Sequence, residues 1–305
     1  MDWPGDATLT AFGRQALSLV AQELRKFRVT SLLAPDYYCP TMLVPFSMEG
    51  IHVHVVETGH DCLMRSHALD EALRTHRGSA VLHCETFGSR ADEELADVLC
   101  TARQAGTKVV IDRTHSWPEP GEDSGDYIVA SLRKMVPTPD GAYVTGLRLP
   151  PRVIPNEATR RATRARMSHL ANPTLETFEA AEDLADDAWV PAPPSLEAMS
   201  RVDEFDHESD RTQRARTAAA LRHALTGMDI VNPDASCCVA LSHPRAHQIM
   251  DTLAARGVHG PIYWGQPLHL PHTRRWRDDV FTLPVDERWA GREDELASWV
   301  RQAAG

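Results

Sequence analysis

Four short stretches of the chain place chemistry-bearing residues where local structure would put them to use. Ser131-Leu132-Arg133-Lys134 closes an apolar run. A lysine on the turn after a buried strand, partly desolvated and with its pKa lowered, can form an imine with a carbonyl cofactor. A serine three residues earlier can donate a hydrogen bond to a phosphate. The S-x-x-K spacing is common, and a surface lysine after a strand satisfies it equally.

Asp112-Arg113-Thr114-His115 closes the preceding apolar run. A carboxylate there can pair with a pyridinium nitrogen and keep it protonated, which makes the ring an electron sink for a carbanion, the core of pyridoxal 5'-phosphate (PLP) chemistry. His115 would reach a ring oxygen or a substrate carboxylate. The plainer account is an Asp that caps a turn and a hydrogen-bonded loop histidine. Phe12-Gly13-Arg14-Gln15-Ala16-Leu17 opens a helical pattern. Free backbone amides and the helix dipole favour phosphate at such a start. Gly13 would admit it closely and Arg14 would add charge, although a glycine at this point is also a simple N-cap. In Pro35-Asp36-Tyr37-Tyr38-Cys39, Tyr37 or Tyr38 would stack on an aromatic cofactor or pack within a loop.

The elements that must hold these residues alternate. Apolar spacing predicts a helix over 11–28, and 29–34 is a short apolar run closed by Pro35. A loop with a short helix follows, then strands over 51–57 and 79–85 around a helix over 66–76. An amphipathic helix over 91–106 ends at Gly106 in the C′ position. Strand patterns over 107–117, 126–134 and 141–146 complete the region. Such alternation indicates a mostly parallel sheet with helices on both faces, with ligands outside the carboxyl ends of its strands. Asp112, His115, Ser131 and Lys134 fall at those ends.

From 150 the pattern changes to an Arg-rich helix, an acidic helix, a break at Pro191-Ala192-Pro193-Pro194-Ser195-Leu196-Glu197-Ala198-Met199, and a polar helix over 207–227. A strand over 236–243, a helix over 246–257, a strand from 278 and a last helix over 292–303 read as a smaller α/β domain. The expected organisation is a large domain over 1–150, a helical connection over 151–205 and a small domain over 206–305.

With 305 residues the chain is long enough for about two domains, and a formal charge of -11 argues against a nucleic-acid surface. The start of the chain has no secretory signal pattern, no apolar run reaches a bilayer-spanning length, and the six cysteines form no CxxC pair. These features predict a cytoplasmic protein with reduced thiols. The histidines lack metal-site spacing, so no metal is expected.

The order of the four motifs resembles fold-type I PLP enzymes of the aspartate-aminotransferase-like fold, and most of all the DegT/DnrJ/StrS aminotransferases. That family's Gly-Thr-x-Ala-Leu helix start is similar to Gly13-Arg14-Gln15-Ala16-Leu17, with Arg14 in place of the threonine. Segments 260–267 and 281–289 resemble parts of its small domain. The resemblance covers roughly 11–146 and 236–303 and leaves the middle without a counterpart. It implies PLP as cofactor, with Lys134 as the Schiff-base lysine and proton shuttle, Asp112 on the pyridine nitrogen and His115 near the ring oxygen. Ser131 and the amides of Gly13 and Arg14 would take the phosphate, and Glu85 would be a further residue near the ring. For a substrate carboxylate the arginine candidates are Arg245, Arg274 and Arg275. The family likeness further implies a homodimer and small-molecule amino donors and acceptors. D-x-x-H is also similar to serine-hydroxymethyltransferase-like branches, so lyase, aldolase or decarboxylase chemistry stands beside transamination, as does a homologue without turnover.

Overall fold

A computed structural model describes residues 5–118, 125–149, 151–258, 264–266 and 276–305. Its larger sheet consists of β1 (Thr8–Thr10), β2 (Ser31–Pro35), β3 (His52–Val56), β4 (Ala80–Cys84), β5 (Val109–Asp112), β6 (Tyr127–Ser131) and β7 (Ala142–Val144). Their spatial order is β1-β7-β6-β5-β4-β2-β3. β2 to β6 run parallel, while β7 is antiparallel to both β6 and β1.

Successive side chains of a strand point to opposite faces, and this parity divides the apolar residues between two cores. Leu32, Leu82, Val110 and Val129 face α1 (Gly13–Lys26) and α2 (Pro40–Met48), meeting Leu17, Leu24, Leu43 and Phe46. Leu33, Val81, Val109, Ile111 and Ala130 face α3 (Ser66–Thr75) and α4 (Glu93–Gln104), meeting Leu69, Leu95 and Leu99. Both faces are covered, as the near-continuous apolar strands require. Gly106, at φ +93°, sits just past the end of α4, where its lack of a Cβ tolerates the left-handed backbone.

Three helices follow: α5 (Glu157–Ala171), α6 (Leu175–Asp186) and α7 (Leu196–Glu204). The expected break at 191–199 therefore contains a helix start. Ser195 caps α7 by accepting the Ala198 amide, and the prolines stop just before it. α8 (His207–Ala224), α9 (Ala246–Ala254) and α10 (Glu293–Ala304) pack on a second sheet, ordered β10-β9-β8, of β8 (Asp229–Ile230), β9 (Cys238–Ser242) and β10 (Val280–Pro284). That sheet is antiparallel. Its core joins Leu221, Val239, Leu241, Ile249, Phe281 and Leu296.

The chemistry-bearing strands are shorter than their apolar patterns. β5 stops at Asp112, whose Oδ1 accepts the Thr114 amide at 2.9 Å and folds the chain into a turn. β6 stops at Ser131 and passes into a single 3-10 turn, Leu132–Lys134.

Candidate active site

The site is assembled at the carboxyl ends of β5 and β6, beside the first turn of α1. Gly13 is the first residue of that helix, and Phe12 at the N-cap supplies no side-chain acceptor. The Gly13 and Arg14 amides, at the first two helical positions, therefore have no acceptor within the helix. Gly13 lies against Ser131: a Cβ on Gly13 would stand 3.1 Å from the Ser131 Cβ and 3.7 Å from its Oγ. A helix start and a buried hydroxyl thus form one small cradle with both kinds of hydrogen-bond donor a phosphate needs.

The Arg14 guanidinium points elsewhere. It pairs with Asp186 at 2.6 Å and lies 5.0 Å from the Trp189 ring centroid. Gln15 is fully buried and donates to the Thr159 hydroxyl and the Val190 carbonyl, both at 2.9 Å, fastening the helix start to α5 and the chain after α6.

Asp112 is 4% exposed, and among the described residues no cation is paired with it. Burial pushes its carboxyl pKa above the ordinary value, against the pull of its hydrogen bonds from Thr114. Thr114 also accepts the Ser131 amide at 3.1 Å through its hydroxyl, so one threonine ties the ends of the two strands together. A buried carboxylate without a counter-charge fits a protonated ring nitrogen. Together with the Gly13–Ser131 cradle, it makes the residues present a fit to PLP.

His115 is buried. Its Nδ1 accepts the Phe87 amide at 3.2 Å, which leaves the proton on Nε2. Burial, then the charge of Lys134, lowers its pKa to about 3, so the ring is neutral. Its plane lies nearly parallel to those of Phe87 and Trp264, at centroid distances of 6.0 and 5.9 Å. Lys134 is accessible to solvent, yet desolvation and then the adjacent Arg133 charge pull its amine below the ordinary lysine value.

The surroundings of the other expected residues are as follows. Tyr37 and Tyr38 are 1% and 0% exposed. Tyr37 packs among Phe87, Trp264 and Trp276, and Tyr38 meets the Trp276 edge, so both rings are covered by protein. Glu85 accepts a hydrogen bond from Ser116 and lies 3.5 Å from Arg113 Nε. Arg245 occupies the N-cap position of α9, beside the second sheet. Arg274, Arg275 and most of 260–267 lie outside the described residues.

Beside His115 opens a cavity of about 490 Å³. Its walls bring Gly88, Ser116, Trp117 and Met135 of the large-sheet region against Arg214 and Cys237. Gly88 has φ +79°, and a Cβ there would come within 3.0 Å of both Ala235 and Cys237. Among the described residues no group of three His, Cys, Asp or Glu side chains could hold a metal ion, and no helix is long and apolar enough to cross a membrane.

Sequence reasoning passed over Thr114, Gln15, Glu182 and Asp186. The last two sit four residues apart on α6, and so on one side of it. They hold Arg133 and Arg14, which flank the cradle from two different segments. The acidic spacing was visible; its partners were not.

With this geometry in hand, comparison with solved structures finds close overlap in backbone. PseC of Helicobacter pylori, an aminotransferase involved in pseudoaminic acid biosynthesis, matches with a TM-score of 0.68 over 98% of this chain and 86% of its own, at 11% identity. The chain has the fold of these aminotransferases. A DegT DnrJ EryC1 StrS aminotransferase from Brucella abortus matches at a TM-score of 0.65 and 14% identity, covering 98% of this chain and 86% of the other. DesI, solved in the presence of its TDP-sugar product, matches at 0.66 and 19% identity, covering 98% and 80%. No protein-family model and no curated protein sequence matches the chain. The expected aspartate-aminotransferase-like fold is therefore the observed one, including across the middle segment that the sequence resemblance left open.

Proposed function

We propose that the chain is a PLP-dependent aminotransferase in which Lys134 is the reactive lysine. One observation carries the reading: the cradle of Gly13 and Ser131, the unpaired Asp112 carboxylate and Lys134 on the turn after Ser131 gather at two adjacent strand ends. The fold shared with known aminotransferases supports it.

When bound, the cofactor supplies the electron sink that stabilises negative charge on a substrate carbon. The chain's own contribution is positional and protonic. Gly13, Arg14 (through its amide) and Ser131 bind the phosphate. Asp112 keeps a ring nitrogen protonated through its buried carboxylate, with which no cation among the described residues is paired. Lys134, with an amine that desolvation biases towards the neutral form, holds and returns a proton. His115 stays neutral and presents its Nε2–H as a donor. The cavity of about 490 Å³ beside it is where a substrate would enter, with room for more than a small amino acid. The TDP-sugar product of DesI supports a keto-sugar acceptor.

The test is reduction of the reconstituted protein with borohydride followed by peptide mapping. A reduced cofactor attached to Lys134 is the expected result, and attachment to another lysine overturns the assignment. Conversion to the pyridoxamine form on adding an amino donor supports transamination; release of product without a keto acceptor supports lyase-type chemistry instead.

A homodimer belongs to the same proposal. Six of the exposed large apolar side chains, Leu149, Ile154, Met167, Leu175, Val190 and Leu196, fall within 149–196, with Met48 the only other among the described residues. Their concentration in one segment of the chain supports an association surface there. Sedimentation equilibrium should give twice the 33.9 kDa chain mass; a monomer with full cofactor occupancy overturns it.

A further inference from the structure

The helical segment after the large sheet brings a carboxylate onto Arg133, the chain neighbour of the proposed reactive lysine. Glu182 of α6 accepts Arg133 Nη1 at 2.7 Å through one oxygen and Nη2 at 3.3 Å through the other. Arg166 of α5 approaches the first of these oxygens at 3.4 Å. The Arg133 side chain is only 9% exposed, and its guanidinium also lies 5.9 Å from the ring of Phe12, the N-cap of α1. Such a two-point bond fixes the plane of a guanidinium as well as its distance. Arg133 is the chain neighbour of Lys134 within a single tight turn, so fixing one restricts the other.

We propose that Glu182 is a positioning residue for Lys134: its two-oxygen grip fixes the Arg133 guanidinium, and with it the tight turn that carries the lysine, so that the docking of α6 sets the surroundings of the amine. This rests on Lys134 being the reactive lysine. The groups that act on the amine from the surrounding elements are Arg133 on its own turn, Glu182 of α6, Arg166 of α5 and Cys39 at the start of α2, with His115 also within its field. Arg133 and Arg166 disfavour the ammonium, and Glu182 favours it. Desolvation of the Glu182 carboxyl is outweighed by Arg133, Lys134 and Arg166, which keep it ionised.

The signs give a test that a simple packing role does not pass. In the cofactor-free full-length chain, competitive acetylation of Lys134 is followed against pH by mass spectrometry. Glu182→Gln should move the labelling midpoint down by about one pH unit, a change of about tenfold in reactivity at fixed pH. Arg133→Gln should move it up by a similar amount, because Glu182 then faces the amine without its principal counter-charge. Glu182→Asp should restore part of the wild-type value. Opposite shifts support the proposal; shifts in one direction, or no shift in either variant, overturn it. Should Glu182→Gln fail to fold, Glu182→Asp, which keeps the charge and shortens its reach by one methylene, decides: a midpoint moved part of the way down supports the proposal and an unmoved midpoint overturns it. Labelling needs no cofactor, so its outcome is separate from the borohydride result that tests the reactive-lysine reading.

Discussion

Gly13 and Ser131, separated by more than a third of the chain, are packed so closely that a methyl group on Gly13 would lie 3.1 Å from the Ser131 Cβ. That contact joins the start of α1, with its free backbone amides, to the Ser131 hydroxyl at the end of β6. Substituting Gly13→Ala should push these two walls apart by a few tenths of an ångström. PLP affinity should fall about tenfold, equivalent to about 1.4 kcal/mol, while the melting temperature of the cofactor-free protein changes little. Fluorescence titration with PLP, run beside thermal melts, checks both halves.

Asp112 should report its buried charge in two ways. Asp112→Asn removes the counter-charge proposed for the ring nitrogen, and turnover should drop by about a hundredfold or more, as for loss of a preorganised electrostatic partner. The cofactor-free protein should respond in the opposite sense. A carboxyl whose folded pKa is raised above 3.8 favours folding below that pH and loses this contribution as pH rises through the folded value. Asp112→Asn should therefore raise the melting temperature at neutral pH and leave it unchanged in strong acid. Equal effects at both pH values would contradict the assignment of a desolvated, unpaired carboxylate.

His115 gives the converse pH dependence. Its folded pKa, lowered to about 3 from 6.5, means that its contribution is complete above the unfolded value and is lost as pH falls from 6.5 towards 3. His115→Gln should flatten the stability profile over that window without changing its shape near pH 8. Melting temperatures collected from pH 3 to 8 would show the difference.

Gly88 is held at φ +79° with Ala235, Cys237 and the His115 carbonyl around the place of a Cβ. Gly88→Ala combines a disfavoured backbone conformation with overpacking. It should cost about 1–3 kcal/mol of stability and disturb the cavity wall beside His115. Chemical denaturation measures the first effect, and the KM for substrate, set against kcat, the second.

The parts legible in the sequence were those fixed by local physics. Apolar spacing marked α1 and α4, and Gly106 marked the end of α4, because helix faces and left-handed termini leave their pattern in adjacent residues. Asp112 and Ser131 were recognisable as strand-end residues because a buried apolar strand must hand over to polar chain at its carboxyl end. The strand limits were not legible: the polar tail after Val109–Asp112 folds as a turn through the Asp112–Thr114 bond. Thr8–Thr10 is too short to carry a periodic signal and exists as a strand through pairing with β7.

The sequence by itself determined which side chains could do chemistry and that strand ends would carry them. Tertiary structure alone decided what each one touches. It turned Arg14 away from the cradle to Asp186, covered Tyr37 and Tyr38, and brought Glu182 to Arg133 across 49 positions of chain. Such pairings depend on how α6 docks against the sheet end. That docking is set by the summed packing of many residues, and no local spacing around Lys134 records it.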